Sequence, residues 1–237
     1  MDLYTIVTLC LLPAIIIMLI VGGKTNVVFK RYSNIISSSG YTGAECARKI
    51  LDSAGLYDTK IVPCRGNLTD NFDPRTNTVS LSEMVYKSQS VSALGVAAHE
   101  VGHAIQYADD YAFVKIRTAL VPVCNFTSRF SLPLIVVGLV LEMFLGYGNV
   151  FSSIMFFVGV GFYAVYTLFT LVTLPVEYNA SNRAREQLLK LEIVSVSDES
   201  KIKEVLNAAA KTYVMSFALS FLYLLRYIAM FGRRNDK

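Results

Sequence analysis

Four long apolar stretches alternate with polar ones along the chain. Leu3 to Val21 reads LYTIVTLCLLPAIIIMLIV without a charge, and Gly22-Gly23 follows. A run of about 20 apolar residues is what a helix needs to cross the hydrocarbon core. No basic region precedes the run and no small-residue cleavage pattern follows it, so an uncleaved anchor is expected rather than a signal peptide. Further runs cover Ser131 to Tyr147 and Val150 to Val176, with Gly148 and Asn149 between them. Such a short polar tip is turn chemistry, and it predicts a helical hairpin. The fourth run, Thr212 to Gly232, carries Arg226. A charge inside a membrane must snorkel, pair or line a cavity, and Glu142 of the second run is the candidate partner.

The polar stretches predict their own elements. Thr42 and Glu45 fit a capping box, with Ala47, Ile50, Leu51 and Ala54 following at helical spacing and Gly55 placed to stop the helix. Residues 56–82 are punctuated by Asp, Pro, Asn and Gly around short apolar alternations. In NTVSLS, Val79 and Leu81 share a face, as in an edge strand, and Asp73-Pro74-Arg75-Thr76 is the turn leading into it. Ser90 can cap a second helix running through VSALGVAAHEVGHAIQYA. The expected fold class is an α-rich α+β integral membrane protein with about four transmembrane helices. Its expected divisions are an anchor at 1–22, a catalytic domain at 23–130 and a transmembrane hairpin at 131–176. A third-ligand helix opening at Glu177, with a polar segment, follows at 177–211. A transmembrane or interfacial helix and tail occupies 212–237.

Composition agrees with that division. The 237 residues are 54% apolar and 17% charged, against about 25% charged in soluble domains. The net charge of +4 is spread over scattered Lys and Arg, so nucleic-acid binding has no electrostatic footprint. Cys10, Cys46, Cys64 and Cys124 show no C-x-x-C or finger spacing and are expected to be reduced thiols. Lys24, Lys30 and Arg31 follow the first run, and six Lys and Arg lie between Glu177 and Lys211. The positive-inside rule therefore places 23–130 and 177–211 in the cytoplasm, although Arg233, Arg234 and Lys237 at the end of a fourth span conflict with it.

The chemistry concentrates in His99-Glu100-Val101-Gly102-His103, an H-E-x-x-H pattern formed by the two histidines of the chain. Chance gives this pattern roughly once in 1,500 chains of this composition. Residues at i and i+4 share a helix face, so both imidazoles can hold one metal, while Glu100 can reach a water bound there. Small Ala97, Ala98 and Gly102 allow another backbone to pack close. A catalytic zinc needs three protein ligands and an open position. With no third histidine, the third ligand must be a carboxylate. Glu177 in PVEYNASN is the candidate, because an even number of membrane crossings returns it to the face of His103. Asp109 and Asp110 lie at the far end of the histidine helix and cannot turn back. No oxyanion donor is assigned; Tyr178 and Arg183 are the nearest polar candidates.

AAHEVGHAIQ, preceded by NFDPRTNTVSLSE and followed by PVEYNASNRA, resembles the YugP-like family of membrane neutral zinc metallopeptidases over about residues 28–190, and is more distantly similar to HtpX-type proteases. The resemblance implies a zincin-like domain of gluzincin type. It implies one Zn2+ held by His99, His103 and Glu177, with Glu100 as general base, and a strand at NTVSLS able to pair with a substrate main chain. It also implies a multi-pass protein of a bacterial-type plasma membrane, cleaving membrane or membrane-proximal polypeptides. The family favours Asp where this chain has Asn179. Asn179 and Ser181 are the candidates for orienting the ligands. Two other readings remain: a non-catalytic membrane scaffold keeping a structural zinc, and a small transporter or channel subunit using Glu142 and Arg226.

Overall fold

The computed structural model describes residues 1–146 and 148–235, with side chains through Phe231. The hairpin-tip Tyr147, the side chains of Arg233 and Arg234, and Lys237 lie outside the described residues, and with them the conflicting charges at the end of the fourth run. The chain runs α1 (Leu3–Ser33), α2 (Gly43–Ser53), β1 (Lys60–Cys64), β2 (Asn71–Asp73), β3 (Thr78–Ser82), α3 (Glu83–Tyr86), α4 (Val91–Ala108), α5 (Ala112–Leu145), α6 (Val150–Lys190) and α7 (Val196–Asn235). It divides into two compact units.

The polar unit comprises Val21–Lys115 and Pro175–Thr212. The capping box of α2 forms: Glu45 N–H donates to Thr42 Oγ1 at 3.2 Å, and Thr42 N–H donates to the Glu45 carboxylate at 2.8 Å. Gly55, at φ +75°, takes the left-handed turn that ends the helix. The fully buried face of α2, Cys46, Ala47, Ile50 and Leu51, joins one core with Ala93, Leu94, Ala97, Ala98 and Val101 of α4 and Val79 and Leu81 of β3. Ser90 caps α4 by accepting from Ala93 N–H at 3.3 Å. In this core, burial pushes the Cys46 thiol up to about 12, which makes it an inert, protonated packing group.

The sheet corrects one expectation. Its order is β1-β3-β2, with β1 parallel and β2 antiparallel to β3. NTVSLS is therefore the central strand, not an edge: β1 pairs along Thr78–Ser82 on one side and β2 along Thr78–Ser80 on the other. Val79 and Leu81 do share the buried face, as the alternation implied. The sequence pattern reports which face is buried; it says nothing about which strand lies alongside. Asn77, in the left-handed region at φ +48°, turns the chain back beside β2, and its carbonyl accepts from Lys60 N–H at 3.0 Å to start the pairing with β1.

The second unit comprises Met1–Ile20, Ile116–Leu174 and Tyr213–Lys237. α1, α5, α6 and α7 are each long and apolar enough to cross a membrane. Their apolar side chains face outward: Leu12 is 66% and Leu19 71% exposed. So continuous an apolar surface is stable only under lipid. α5 and α6 pack backbone to backbone: a methyl on Gly138 would lie 2.7 Å from Phe156 N, and one on Gly159 2.7 Å from Ile135 N. Small residues permit this approach between membrane helices. Arg226 donates to the Tyr4 hydroxyl at 3.3 Å and lies over its ring, not against Glu142.

Two boundaries differ from expectation. Residues 116–130, expected in the polar domain, belong to the membrane unit, because α5 starts at Ala112 and carries only Arg117 and Arg129 as charges between 116 and 130. Glu177 does not open a new helix. α6 runs unbroken through Pro175, whose missing N–H costs one ladder bond without ending the helix.

Candidate metal centre

Three side chains of the polar unit converge. His99 and His103 project from one face of α4, their ring centroids 4.8 Å apart and nearly perpendicular. Glu177 arrives from α6, with one carboxylate oxygen 3.3 Å from His99 Nε2 and 3.6 Å from His103 Nε2. All three donor atoms lie within 4.8 Å of one another. Donors held about 2.0–2.1 Å from one tetrahedral ion sit about 3.3 Å apart, so the carboxylate already stands near tetrahedral spacing from both imidazoles. Two neutral imidazoles and one carboxylate are a borderline-soft N2O set, which suits zinc.

Gly102 makes this approach possible. A methyl group there would lie 2.5 Å from the Ala180 carbonyl oxygen, part of the α6 backbone. Backbone cannot move aside as a side-chain tip can. Gly102→Ala is expected to force α4 from α6, cost about 1–3 kcal/mol in stability and weaken zinc binding. Thermal unfolding and chelator competition on the purified variant measure both effects. Wild-type affinity in a fully folded Gly102→Ala protein would contradict this packing account.

The far ring nitrogens are also engaged. His99 Nδ1 lies 3.2 Å from Ser181 Oγ, one of the two orienting candidates. His103 Nδ1 lies 3.0 Å from Gln106 Oε1, a residue absent from the sequence-based set. Gln106 is fully buried. Its Nε2 donates to the Val176 carbonyl at 2.8 Å and to Asn179 Oδ1 at 2.9 Å. Asn179 Oδ1 also accepts from Arg183 Nε at 2.8 Å, and Arg183 pairs with Asp109. A carbonyl only accepts and a guanidinium only donates, so these two groups fix both amide orientations. Gln106 thus presents its oxygen to His103, which must carry its proton on Nδ1. In the neutral ring that leaves the Nε2 lone pair as a metal donor beside the Glu177 carboxylate. Asn179 acts on His103 through Gln106, not directly. The signal for Gln106 was its place three residues after His103, on the same helix face.

Removing this acceptor has a definite consequence. Gln106→Leu leaves a buried Nδ1–H without its partner, which costs about 1–3 kcal/mol. Loss of such a support is expected to weaken metal affinity about 10–100-fold. Zinc titration against a chromophoric chelator checks it; unchanged affinity would show that Gln106 is packing alone.

Glu100 is 8% exposed and lies within the electrostatic reach of His99, His103, Glu177 and Asp70. Burial pushes its carboxyl above the ordinary range, the two neighbouring carboxylates add to this, and the histidines oppose it. For His103, burial works against protonation, but the adjoining Glu177 carboxylate outweighs it, and its pKa stands above the ordinary value. Asp70, also missed in the sequence, sits just before β2 and accepts from Ser82 N–H at 2.7 Å and from its hydroxyl at 3.1 Å. Of the oxyanion candidates, Arg183 is committed to Asn179 and Asp109, while Tyr178 is 43% exposed.

Comparison with known proteins identifies the family. The profile of the family described as "Putative neutral zinc metallopeptidase" matches residues 7–232, and the chain belongs to that family. A curated relative, "Putative membrane protease YugP" of Bacillus subtilis (strain 168), is 42% identical over 209 residues, covering 88% of this chain and 89% of the relative. No solved structure matches.

Proposed function

We propose that this chain is a membrane-embedded zinc metalloendopeptidase of gluzincin type. His99, His103 and Glu177 hold the metal in a zincin-like polar domain, and Glu100 is the general base. The observation that carries the reading is the return of Glu177, far downstream in sequence, to both imidazole Nε2 atoms beside a buried Glu100. A bound zinc supplies an acidified water and a polarised scissile carbonyl.

The protein's own groups do the rest. The Glu100 carboxylate accepts a proton from the attacking water as its oxygen bonds to the carbonyl carbon. It then delivers that proton to the amide nitrogen as the C–N bond breaks, so the leaving amine departs neutral. The raised proton affinity of a buried carboxyl suits a group that must both take and return a proton near neutral pH. Ser181 and Gln106 accept from the two Nδ1 atoms and hold the imidazoles in register. Substrates are membrane or membrane-proximal polypeptides, and the site faces the cytoplasm, a topology supported by the Lys and Arg around α1 and between Glu177 and Lys211.

The test is cleavage of a quenched fluorescent peptide library by the full chain in lipid nanodiscs. Hydrolysis is expected to disappear after removal of metal by a chelator and to return with one equivalent of zinc. Zinc-loaded, folded protein that cleaves nothing would overturn the peptidase reading and favour the scaffold.

A further inference from the structure

α1 leaves its apolar run at Val21, and α7 enters its own at Thr212. Within the polar unit the two helices touch at this level: the Thr25 hydroxyl donates to the Ala208 carbonyl at 3.0 Å. Beside that contact is a cavity of about 220 Å3 lined by Val21, Lys24, Val28, Glu204, Asn207, Ala208 and Lys211. It draws one lysine from each helix. Among the described residues, the side chain of neither Lys24 nor Lys211 takes part in an ion pair or hydrogen bond. The one lining carboxylate, Glu204, is drawn off by Arg31 Nη1 at 3.4 Å and by the Tyr32 hydroxyl. Two like charges therefore share one cavity without a counter-charge of their own.

We propose that this cavity binds the phosphate of an anionic membrane phospholipid. Lys24 stands three residues past the end of one apolar run and Lys211 one residue before the start of another, so both ammonium groups lie at headgroup depth. Two lysines supply point charges to a phosphodiester, and Asn207 adds an amide. Val21, at the membrane end of the lining, stands next to where the glycerol and acyl chains arrive, while Val28 and Ala208 line the cavity beyond the two lysines. A soluble phosphate ester shares the anionic chemistry but has no chains to run past Val21 into the bilayer. The bilayer lipid is therefore the occupant. The site lies away from His99, His103 and Glu177 and does not depend on the peptidase reading.

The experiment is native mass spectrometry of the full chain in nonionic detergent, titrated separately with phosphatidylglycerol, phosphatidylcholine and glycerol 3-phosphate. One phosphatidylglycerol per chain is expected to remain bound, with phosphatidylcholine and glycerol 3-phosphate lost. Juxtamembrane lysines each contribute about 1 kcal/mol toward anionic lipid, so Lys24→Gln with Lys211→Gln is expected to weaken retention roughly 30-fold. The charge-matched pair Lys87→Gln with Lys190→Gln, at exposed positions elsewhere in the polar unit, is expected to retain lipid as the wild type does, as is the conservative pair Lys24→Arg with Lys211→Arg. Should the double glutamine variant fail to fold, each single variant is expected to show about a 5-fold loss. Equal weakening by the control pair, undiminished retention in the single or double glutamine variants, or glycerol 3-phosphate binding as tightly as the lipid would overturn the proposal.

Discussion

Glu100→Gln is expected to lower peptide hydrolysis by about 10²–10⁴-fold, the range a positioned general base contributes, while zinc stays bound at one per chain. The substitution keeps shape and removes charge. Glu100 lies outside the trio of donor atoms that converge, His99 Nε2, His103 Nε2 and a Glu177 oxygen, so the ligand set is untouched. An amide cannot accept the proton that the attacking water must lose, and that missing transfer accounts for the whole effect. Glutamine also removes a buried carboxyl that burial disfavours in its ionised form, so the variant is expected to be at least as stable as the parent. Turnover and zinc content measured on the same preparation decide the matter. Full activity in a zinc-loaded Glu100→Gln protein would remove Glu100 from the proton path.

Glu177→Gln has the opposite signature. It is expected to weaken zinc binding by more than the 10–100-fold seen when a supporting group is lost, with hydrolysis falling in parallel. Its carboxylate stands 3.3 and 3.6 Å from the two imidazole Nε2 atoms. A neutral amide oxygen is a poorer ligand, and the amide's other end brings N–H groups that repel a cation. Competition with a chromophoric chelator reads the change, and high zinc with near-normal hydrolysis should recover part of the activity by mass action. Unaltered affinity would place the metal elsewhere in the chain. The two variants together separate the chemistry of cleavage from the holding of the ion: one loses turnover with metal retained, the other loses both.

Much of the site was legible because its residues carry short-range signals. His99, Glu100 and His103 follow from helical spacing, and the small Gly102 announced the close approach that the α6 backbone makes. Glu177 was reachable because the two apolar runs before it predict an even number of crossings, and in the structure its carboxylate stands beside both imidazoles. The unread parts share a cause. Gln106 acts through an acceptor geometry set by Val176, Asn179 and Arg183, and such a relay across two helices has no one-dimensional pattern. Asn179 was a candidate for orienting a ligand, and its oxygen accepts from Gln106 and Arg183, so it reaches His103 only through Gln106. The capping box of α2 and the Ser90 cap of α4 are local and were readable. The place of β3 between two strands is a tertiary choice, and alternation along NTVSLS cannot reveal it. For the same reason the start of α5 was set too late: Arg117 and Arg129 interrupt hydropathy without interrupting the helix.

Zinc K-edge X-ray absorption of the full chain, loaded with one equivalent of zinc, tests the central claim most directly. The expected spectrum shows nitrogen and oxygen neighbours at about 2.0–2.1 Å, with outer-shell scattering from two imidazoles and none from sulfur at about 2.3 Å. A sulfur neighbour, or an imidazole count other than two, would contradict the site formed by His99, His103 and Glu177.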